Sequence, residues 1–236
     1  MTPRMTVAEI ATHRPASVRI LEQHRIDFCC GGQVPFEQAC RDRGLDPDTL
    51  LAEIERAEAP AADGRDWNAA SLGELLDHIL TTHHGYLKAE LPYLSAALEK
   101  IEAAHGGKYP AIPALAPVFR ALRAELEGHL MKEEMVLFPM IRGMETARDE
   151  GRPAPPAHCG SVRNPVRVMC MEHDSAGAAL SDLRSLTAGY AAPDGACNTL
   201  RSFYSELEQL EKDLHRHIHL ENNILFPRAI ALEDGR

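Results

Sequence analysis

At His129-Leu-Met-Lys-Glu133-Glu-Met-Val-Leu-Phe138-Pro139 the chain carries a pattern that returns later as His217-Ile-His-Leu-Glu221-Asn-Asn-Ile-Leu-Phe226-Pro227. Both copies read H-x3-E-x4-F-P. One further histidine precedes each copy, His84 in the first half and His173 in the second. The chain therefore contains an internal duplication with a long period. Because histidine and glutamate four positions apart lie on one face of an α-helix, each copy predicts a pair of side chains that can bind one cation.

The composition favours helices and excludes several classes of partner. The chain has 236 residues, of which 44% are hydrophobic and only 5% aromatic, and its formal charge is −10. This charge disfavours binding to nucleic acid or to an anionic membrane surface. We expect a cytoplasmic protein without membrane segments, because no apolar run is long enough for a span and residues 1–20 do not resemble a signal peptide. The six cysteines are then interpreted as free thiols.

The chain is predicted to be all-α, with a small helical domain over residues 1–60 and an antiparallel four-helix bundle over 66–236. Thr6 and Asp46 are predicted helix caps in the first domain. A linker rich in Ala, Pro, Gly and Asp is predicted over residues 57–65. The predicted bundle helices run over residues 71–104, 114–148, 164–190 and 198–230, with a kink expected at Pro92.

Apolar residues recur every three or four positions in each predicted bundle helix, which indicates the side that faces the core. The predicted core positions are Leu80, His84, Leu87, Leu91, Leu94, Leu98 and Ile101; Leu115, Phe119, Leu122, Leu126, His129, Glu133, Val136 and Met140; Val166, Met169, His173, Ala176, Leu180 and Leu183; and Leu200, Phe203, Leu207, Leu210, Leu214, His217, Glu221 and Ile224. His83 falls about 100° away from this side, so the pattern selects His84 in its place.

Six polar residues thus interrupt four apolar stripes. A carboxylate in an apolar core is costly unless it is paired or bound to a metal. Four-helix bundles bind di-iron or di-manganese with such ligands, and imidazole with carboxylate suits iron or manganese. Six ligands for two ions leave positions for small molecules such as oxygen or nitric oxide. The predicted metal ligands are His84, His129, Glu133, His173, His217 and Glu221.

The chain resembles hemerythrin-like domains, and more narrowly the repair-of-iron-centres family of di-iron iron–sulfur cluster repair proteins. The motifs that carry the resemblance are Asp27-Phe-Cys-Cys-Gly-Gly32, Asp77-His-Ile, His84, the two His-x3-Glu stretches with their Leu-Phe-Pro endings, and Glu172-His173-Asp. The resemblance covers nearly the whole chain. Oxygen-carrying hemerythrins are expected to use five histidines, whereas four occur in the stripes here, so reversible oxygen carriage is disfavoured.

The resemblance implies two non-haem iron ions in an oxo- or carboxylate-bridged centre held by those six residues. It also implies repair of iron–sulfur proteins damaged by nitrosative or oxidative stress, by a cytoplasmic protein that is often a homodimer, and it leaves open whether the protein donates iron or reduces nitric oxide. A sensor of nitric oxide or oxygen, or a nitric oxide reductase that uses the same site, is the alternative. Whether the protein turns over as an enzyme is left open, with iron donation preferred.

Several further residues receive individual interpretations. From spacing alone, Cys29 and Cys30 fit buried structural cysteines and a functional thiol pair equally well. The resemblance favours function, with the thiols handling iron, nitric oxide or electrons or contacting a second subunit. Glu172 is either an outer partner of the site or a solvated charge, and Glu134 is expected to be solvated. His105 is interpreted as a surface loop histidine, with a gating or outer-sphere role suggested by the resemblance. Cysteines and histidines with no ligand role are expected to be structural or incidental (Cys40, Cys159, Cys170, Cys197), or exposed (His215, His219).

Overall fold

The computed structural model describes residues 1–57, 65–153 and 159–235. All regular elements within these ranges are helical, apart from one isolated bridge between Thr6 and Pro35, which confirms the predicted all-α class. In the same ranges, no helix has the length and apolar character needed to cross a bilayer. The predicted linker, residues 57–65, lies almost wholly outside the described ranges, so the predicted domain boundary stays a prediction.

Two compact units make up the described chain, and the first combines Met1–Leu76 with His215–Arg236. Its N-terminal helices are α1 (Val7–His13), α2 (Ser17–Gln23), α3 (Phe36–Asp42) and α4 (Pro47–Arg56). Their buried apolar side chains form one core together with Ile218 from the C-terminal part. Thr6 and Glu9 form a reciprocal capping box on α1, and Asp46 caps α4, as predicted.

The second unit, Asp77–Leu214, contains the predicted antiparallel four-helix bundle. Helix α5 (Leu72–His78) leads into it and is followed by α6 (Gly85–His105), α7 (Ala111–Lys132), α8 (Phe138–Asp149), α9 (Arg163–Leu186) and α10 (Asn198–Leu220). Buried side chains of α6, α7, α9 and α10 share one core, which includes Leu94, Phe119, Leu180 and Phe203. Helix α11 (Phe226–Glu233) ends the chain within the first unit.

Three π-helical turns interrupt the long helices, and each contains a predicted metal ligand at one end. Ile79–His84 ends at His84, Glu133–Leu137 begins at Glu133, and Glu221–Leu225 begins at Glu221. With these turns included, the predicted helices at 71–104, 114–148 and 198–230 agree with the observed ones to within a few residues. Short π turns inside α-helices are frequent at functional sites.

The π turn after Glu133 shifts the buried side of the helix by about one residue. The predicted core positions Val136 and Met140 were wrong, because Val136 is 50% exposed and Met140 only partly buried. Leu137 and Ile141 are buried instead. A π turn needs about five residues to return to the same side of the helix, whereas an α-helix needs about four. Core positions predicted at α-helical spacing beyond such a turn therefore no longer face the core.

Candidate metal centre

Four of the six predicted ligands lie together in the second unit. His84, His129, Glu133 and His173 come from the π turn before α6, from α7 and its π turn, and from α9, and each is at most 3% exposed. The Nε2 atom of His84 is 3.4 Å from Glu133 Oε2, and that of His129 is 3.3 Å from the same oxygen. The Nε2 atoms of His129 and His173 are 3.1 Å apart. The three imidazoles therefore turn the same nitrogen toward one place.

The other two predicted ligands repeat this arrangement in the first unit. His217 Nε2 lies 3.0 Å from Glu221 Oε1, and both side chains are almost completely buried. The pair corresponds to His129 and Glu133, in which the glutamate is also the residue that opens a π turn. The two copies of the H-x3-E pattern thus share their local geometry as well as their sequence.

The environment of Glu133 fits a cation. Its side chain is completely buried, and within the described part of the chain neither of its carboxylate oxygens accepts a hydrogen bond. Ligand atoms of His129, Glu133 and His173 all lie within 4.8 Å of one another, and the same holds for His84 with Glu133. Because a buried carboxylate without donors is costly, and imidazole with carboxylate suits iron, these residues are appropriate for binding iron.

Two carboxylates outside the ligand set, called the outer carboxylates below, contact ligand histidines through the ring nitrogen that faces away from the site. Glu134 Oε1 lies 2.8 Å from Nδ1 of His84, and Glu172 Oε2 lies 2.9 Å from Nδ1 of His129. The expectation that Glu134 is solvated was wrong, and of the two alternatives for Glu172 the outer partner is the observed one. An imidazole that donates its Nδ1 proton to a carboxylate keeps the Nε2 lone pair for a metal.

Each outer carboxylate is in turn paired with a lysine. Lys88 Nζ donates to Glu134 at 2.7 Å, and Lys132 donates to Glu172. Partial burial raises the pKa of both glutamates, but the hydrogen bonds from the lysine and the histidine outweigh that effect and leave each pKa below its usual value. Both glutamates are therefore ionised at neutral pH, as acceptors for the imidazole protons must be.

We expect Glu134→Gln and Glu172→Gln to weaken metal binding roughly 10- to 100-fold each, as is typical when the partner of a metal-bound histidine is replaced. Competition with a chromophoric chelator measures the change. Glu127→Gln is the matched control, since Glu127 lies on α7 but pairs with Arg123. If both Glu134→Gln and Glu172→Gln bind the metal as tightly as wild type, the role assigned to these carboxylates is contradicted.

Among the described residues, two histidines outside the ligand set are buried for other reasons. His83 pairs with Asp213, with 2.9 Å between Nδ1 and Oδ1. His219 was expected to be exposed and is instead 5% exposed, packed edge-on against the Phe28 ring. Burial lowers the pKa of His219 to about 4, so this ring is neutral at physiological pH.

The Cys29-Cys30 pair belongs to a loop organised by Asp27. The Asp27 carboxylate accepts backbone N–H groups from Cys29, Cys30 and Gly31 at 2.9, 3.1 and 2.9 Å. The two Sγ atoms are 3.7 Å apart, and neither cysteine forms a disulfide within the described residues. The hydrogen bond to Cys30, together with burial, holds the pKa of the Cys29 thiol well above its usual value. Cys29 therefore stays protonated, and Cys30 is the more accessible sulfur.

Two asparagines that sequence reasoning did not single out attach this loop to the π turn that Glu221 opens. Asn223 Nδ2 donates to the Phe28 carbonyl at 2.9 Å, and Asn222 Nδ2 donates to the Cys29 carbonyl at 3.4 Å. The sequence did contain a signal for this role. Asparagines directly follow the predicted ligand Glu221 in the second copy of the pattern, and none follows Glu133 in the first. The cysteine loop is thereby fixed to the segment that carries one of the candidate ligands.

Gly32 allows this loop to pass close to its own backbone. A Cβ atom added at Gly32 would lie 2.7 Å from the Phe28 carbonyl oxygen and 3.0 Å from the Ala8 side chain. We expect Gly32→Ala to destabilise the protein by about 1–3 kcal/mol, the usual cost of forcing atoms into a packed site. Urea unfolding measures it, with Gly107→Ala as control because an added Cβ there meets nothing within 4 Å. Equal stabilities of the two variants would contradict this expectation.

The fold and the histidine–glutamate geometry define a hemerythrin-like metal-binding bundle. Residues 75–229 match the family model described as the hemerythrin HHE cation binding domain, and residues 3–58 match a domain of unknown function, DUF542. The family of iron–sulfur cluster repair proteins with a hemerythrin-like domain is the one to which this chain belongs.

Three relatives illustrate the extent of the similarity. The iron–sulfur cluster repair protein YtfE of Pectobacterium carotovorum is 37% identical over 229 residues, which cover 97% of both chains. YtfE of Edwardsiella ictaluri is 37% identical over 225 residues, 95% of this chain and 96% of the relative. A probable iron–sulfur cluster repair protein of Haemophilus influenzae is 36% identical over 227 residues, with the same coverage.

Proposed function

We propose that this protein repairs iron–sulfur clusters damaged by nitrosative or oxidative stress, by supplying iron from a di-iron centre. The observation that carries the proposal is the buried carboxylate of Glu133, which accepts no hydrogen bond from the described residues and toward which the ligand nitrogens of His84 and His129 are turned. The relatives named as iron–sulfur cluster repair proteins match the chain over nearly its full length, which supports repair as the use of that site.

Two lines of support favour two iron ions over one. The hemerythrin-domain match extends over residues 75–229 and so includes all six predicted ligands. The H-x3-E pattern occurs twice, and each copy adds one upstream histidine, so the ligands divide into equivalent sets of three. Helical bundles with paired carboxylates and histidines are suited to dinuclear sites.

The protein's own residues would prepare the iron for release. Bound iron would supply both the redox chemistry and the ion that is transferred. Glu133 and Glu221 would partly neutralise its charge, and Glu134 and Glu172 would keep two imidazoles oriented. Because six ligands would leave coordination positions of two ions unfilled, the bound iron would supply binding positions for small oxidants or nitric oxide.

The Asp27–Gly32 loop is proposed to assist delivery. Cys30 offers the more accessible thiol, and Asn222 and Asn223 attach its loop to the π turn beginning at Glu221. Thiolate is a strong iron ligand, so a thiol near the outgoing ion can receive it or supply electrons. A cytoplasmic location and a homodimer complete the proposal. Light scattering on the purified protein tests the dimer.

Repair is tested with a purified cluster enzyme that has first been inactivated by nitric oxide. The protein is loaded with iron-57 and incubated with this enzyme, and recovered activity and transferred label are measured together. We expect both to exceed what an equal concentration of free ferrous iron gives. The His84→Leu variant should lose this advantage, whereas His83→Gln should keep it.

Two results would replace the proposal by its alternatives. Recovery no better than with free ferrous iron, together with stoichiometric nitrosylation of the reduced protein, would favour a nitric oxide sensor. Continued formation of nitrous oxide over many cycles would favour a nitric oxide reductase.

A further inference from the structure

A thiol and an imidazole meet where the loop after α6 packs against the loop before α10. Cys197 Sγ lies 3.2 Å from His105 Nε2, and both side chains are partly buried. The prediction that His105 is a surface loop histidine was wrong, because it is the partly buried last residue of α6. Cys197, which was expected to be structural or incidental, contacts it. Helix α6 separates His105 from His84 by about 30 Å at 1.5 Å per residue, so an outer-sphere role for His105 at the metal centre is excluded.

The surroundings of this pair are well defined. Tyr109 packs beside the His105 ring, with 5.9 Å between ring centroids, and its hydroxyl donates to the Asp194 carbonyl at 3.5 Å. Lys108 lies over the Tyr109 ring, and Arg201 donates to the Ala196 carbonyl at 3.1 Å. Lys108, Arg201 and Asp194 are thus among the charged residues around this pair.

Cys159 provides a contrast within the same chain. It is also partly buried, but its sulfur contacts the Met140 thioether at 3.6 Å. A thioether cannot take up a proton at neutral pH, whereas a neutral imidazole can. A cysteine beside a histidine at hydrogen-bond distance is the arrangement that activates a thiol as a nucleophile.

We propose that Cys197 is a modification site, oxidised by a hydroperoxide to a sulfenic acid, with His105 as its base. The imidazole takes the thiol proton, and the sulfur then attacks one peroxide oxygen. The S–O bond forms as the O–O bond breaks, and the leaving hydroxide or alkoxide takes the proton back from His105. The sulfur is oxidised by two electrons and the peroxide is reduced to water or an alcohol. This site is independent of the proposed iron donation.

Alkylation by iodoacetamide measures the activation, and mass spectrometry of Cys197 and Cys159 peptides follows each thiol separately. A free thiol is a few per cent ionised at pH 7, so activation can raise its rate by at most ~30-fold, and we expect about tenfold. Native Cys197 should react faster than the same cysteine in urea-unfolded protein, despite its partial burial. With hydrogen peroxide and dimedone present, the native protein should carry the dimedone adduct on Cys197 and not on Cys159.

His105→Gln keeps a polar side chain but removes the base. We expect the Cys197 rate to fall to its value in urea while the Cys159 rate, which reports on the fold, stays unchanged. The proposal is overturned if native Cys197 reacts no faster than the unfolded thiol, or if no dimedone adduct forms on it. It is also overturned if His105→Gln, with an unchanged Cys159 rate, leaves the Cys197 rate unaltered.

Discussion

A His84→Leu variant is expected to lose roughly half or more of its bound iron, because removing a histidine leaves one ion without a full set of ligands in a site of this type. His84 is 1% exposed, and its Nε2 atom faces the Glu133 carboxylate. Metal analysis of protein purified without chelators measures the loss. Mössbauer spectra of iron-57-loaded protein show whether the remaining iron is a single species.

His83→Gln is the matched control for this experiment. His83 is the adjacent residue and is also buried, but its ring is paired with Asp213. We expect this variant to keep its iron, with any cost confined to stability. An equal loss of iron from the two variants would show that the helix register assigned to His84 is wrong.

Glu133→Leu is expected to change stability in opposite directions with and without metal. In metal-free protein the buried carboxylate accepts no hydrogen bond from the described residues, so replacing it by leucine should remove that cost and stabilise the protein by about 1–3 kcal/mol. With metal present, wild type gains about 4.1 kcal/mol at a free-ion concentration 1,000 times the dissociation constant. The variant should lose most of that gain, because it lacks a ligand.

Thermal unfolding of both proteins, with and without ferrous iron under anaerobic conditions, gives the four midpoints required. A stabilisation of 1 kcal/mol corresponds to roughly 2–4 °C for a chain of this size. The metal-free variant should melt above metal-free wild type, and the order should reverse when iron is added. A metal-free variant that melts below metal-free wild type would show that Glu133 is satisfied by protein contacts alone.

The repeat and its helix spacing were sufficient to predict the bundle and the burial of all six candidate ligands. His173 on α9 and His217 on α10 lie in regular α-helical stripes, so a period of 3.6 residues placed them correctly. Helix caps at Thr6 and Asp46 were equally local and equally predictable. Helix stripes and helix caps depend on residues only a few positions apart in the chain, so the sequence alone is enough to predict them.

The register beyond Glu133 depends on a change of hydrogen-bond pattern that apolar spacing does not encode. Val136 was predicted to be buried, and the observed burial of Leu137 follows from the π turn. Sequence periodicity assumes one helical pitch throughout, so a single wider turn displaces every later position.

The role of Glu134 was missed and that of Glu172 was left open, because both depend on side chains from other helices. Glu134 follows a ligand directly and Glu172 precedes one, and neighbours on a helix point about 100° apart. A signal was nevertheless present, since a lysine follows each of the two histidines concerned by one helical turn, Lys88 after His84 and Lys132 after His129.

Each π turn also makes the ligand position and the packing of the next helix separately adjustable. A π turn corresponds to one extra residue in an α-helix. Deleting one residue from it, such as the exposed Met135, would let the α-helical pattern continue and leave Phe138 on the same side of the helix, four residues after Glu133 where there are now five. The packing of α8 would then be kept, and the change would be confined to the turn that begins at the candidate ligand. In these helices, a change of length by one residue can therefore alter the backbone beside a ligand without altering the core beyond it.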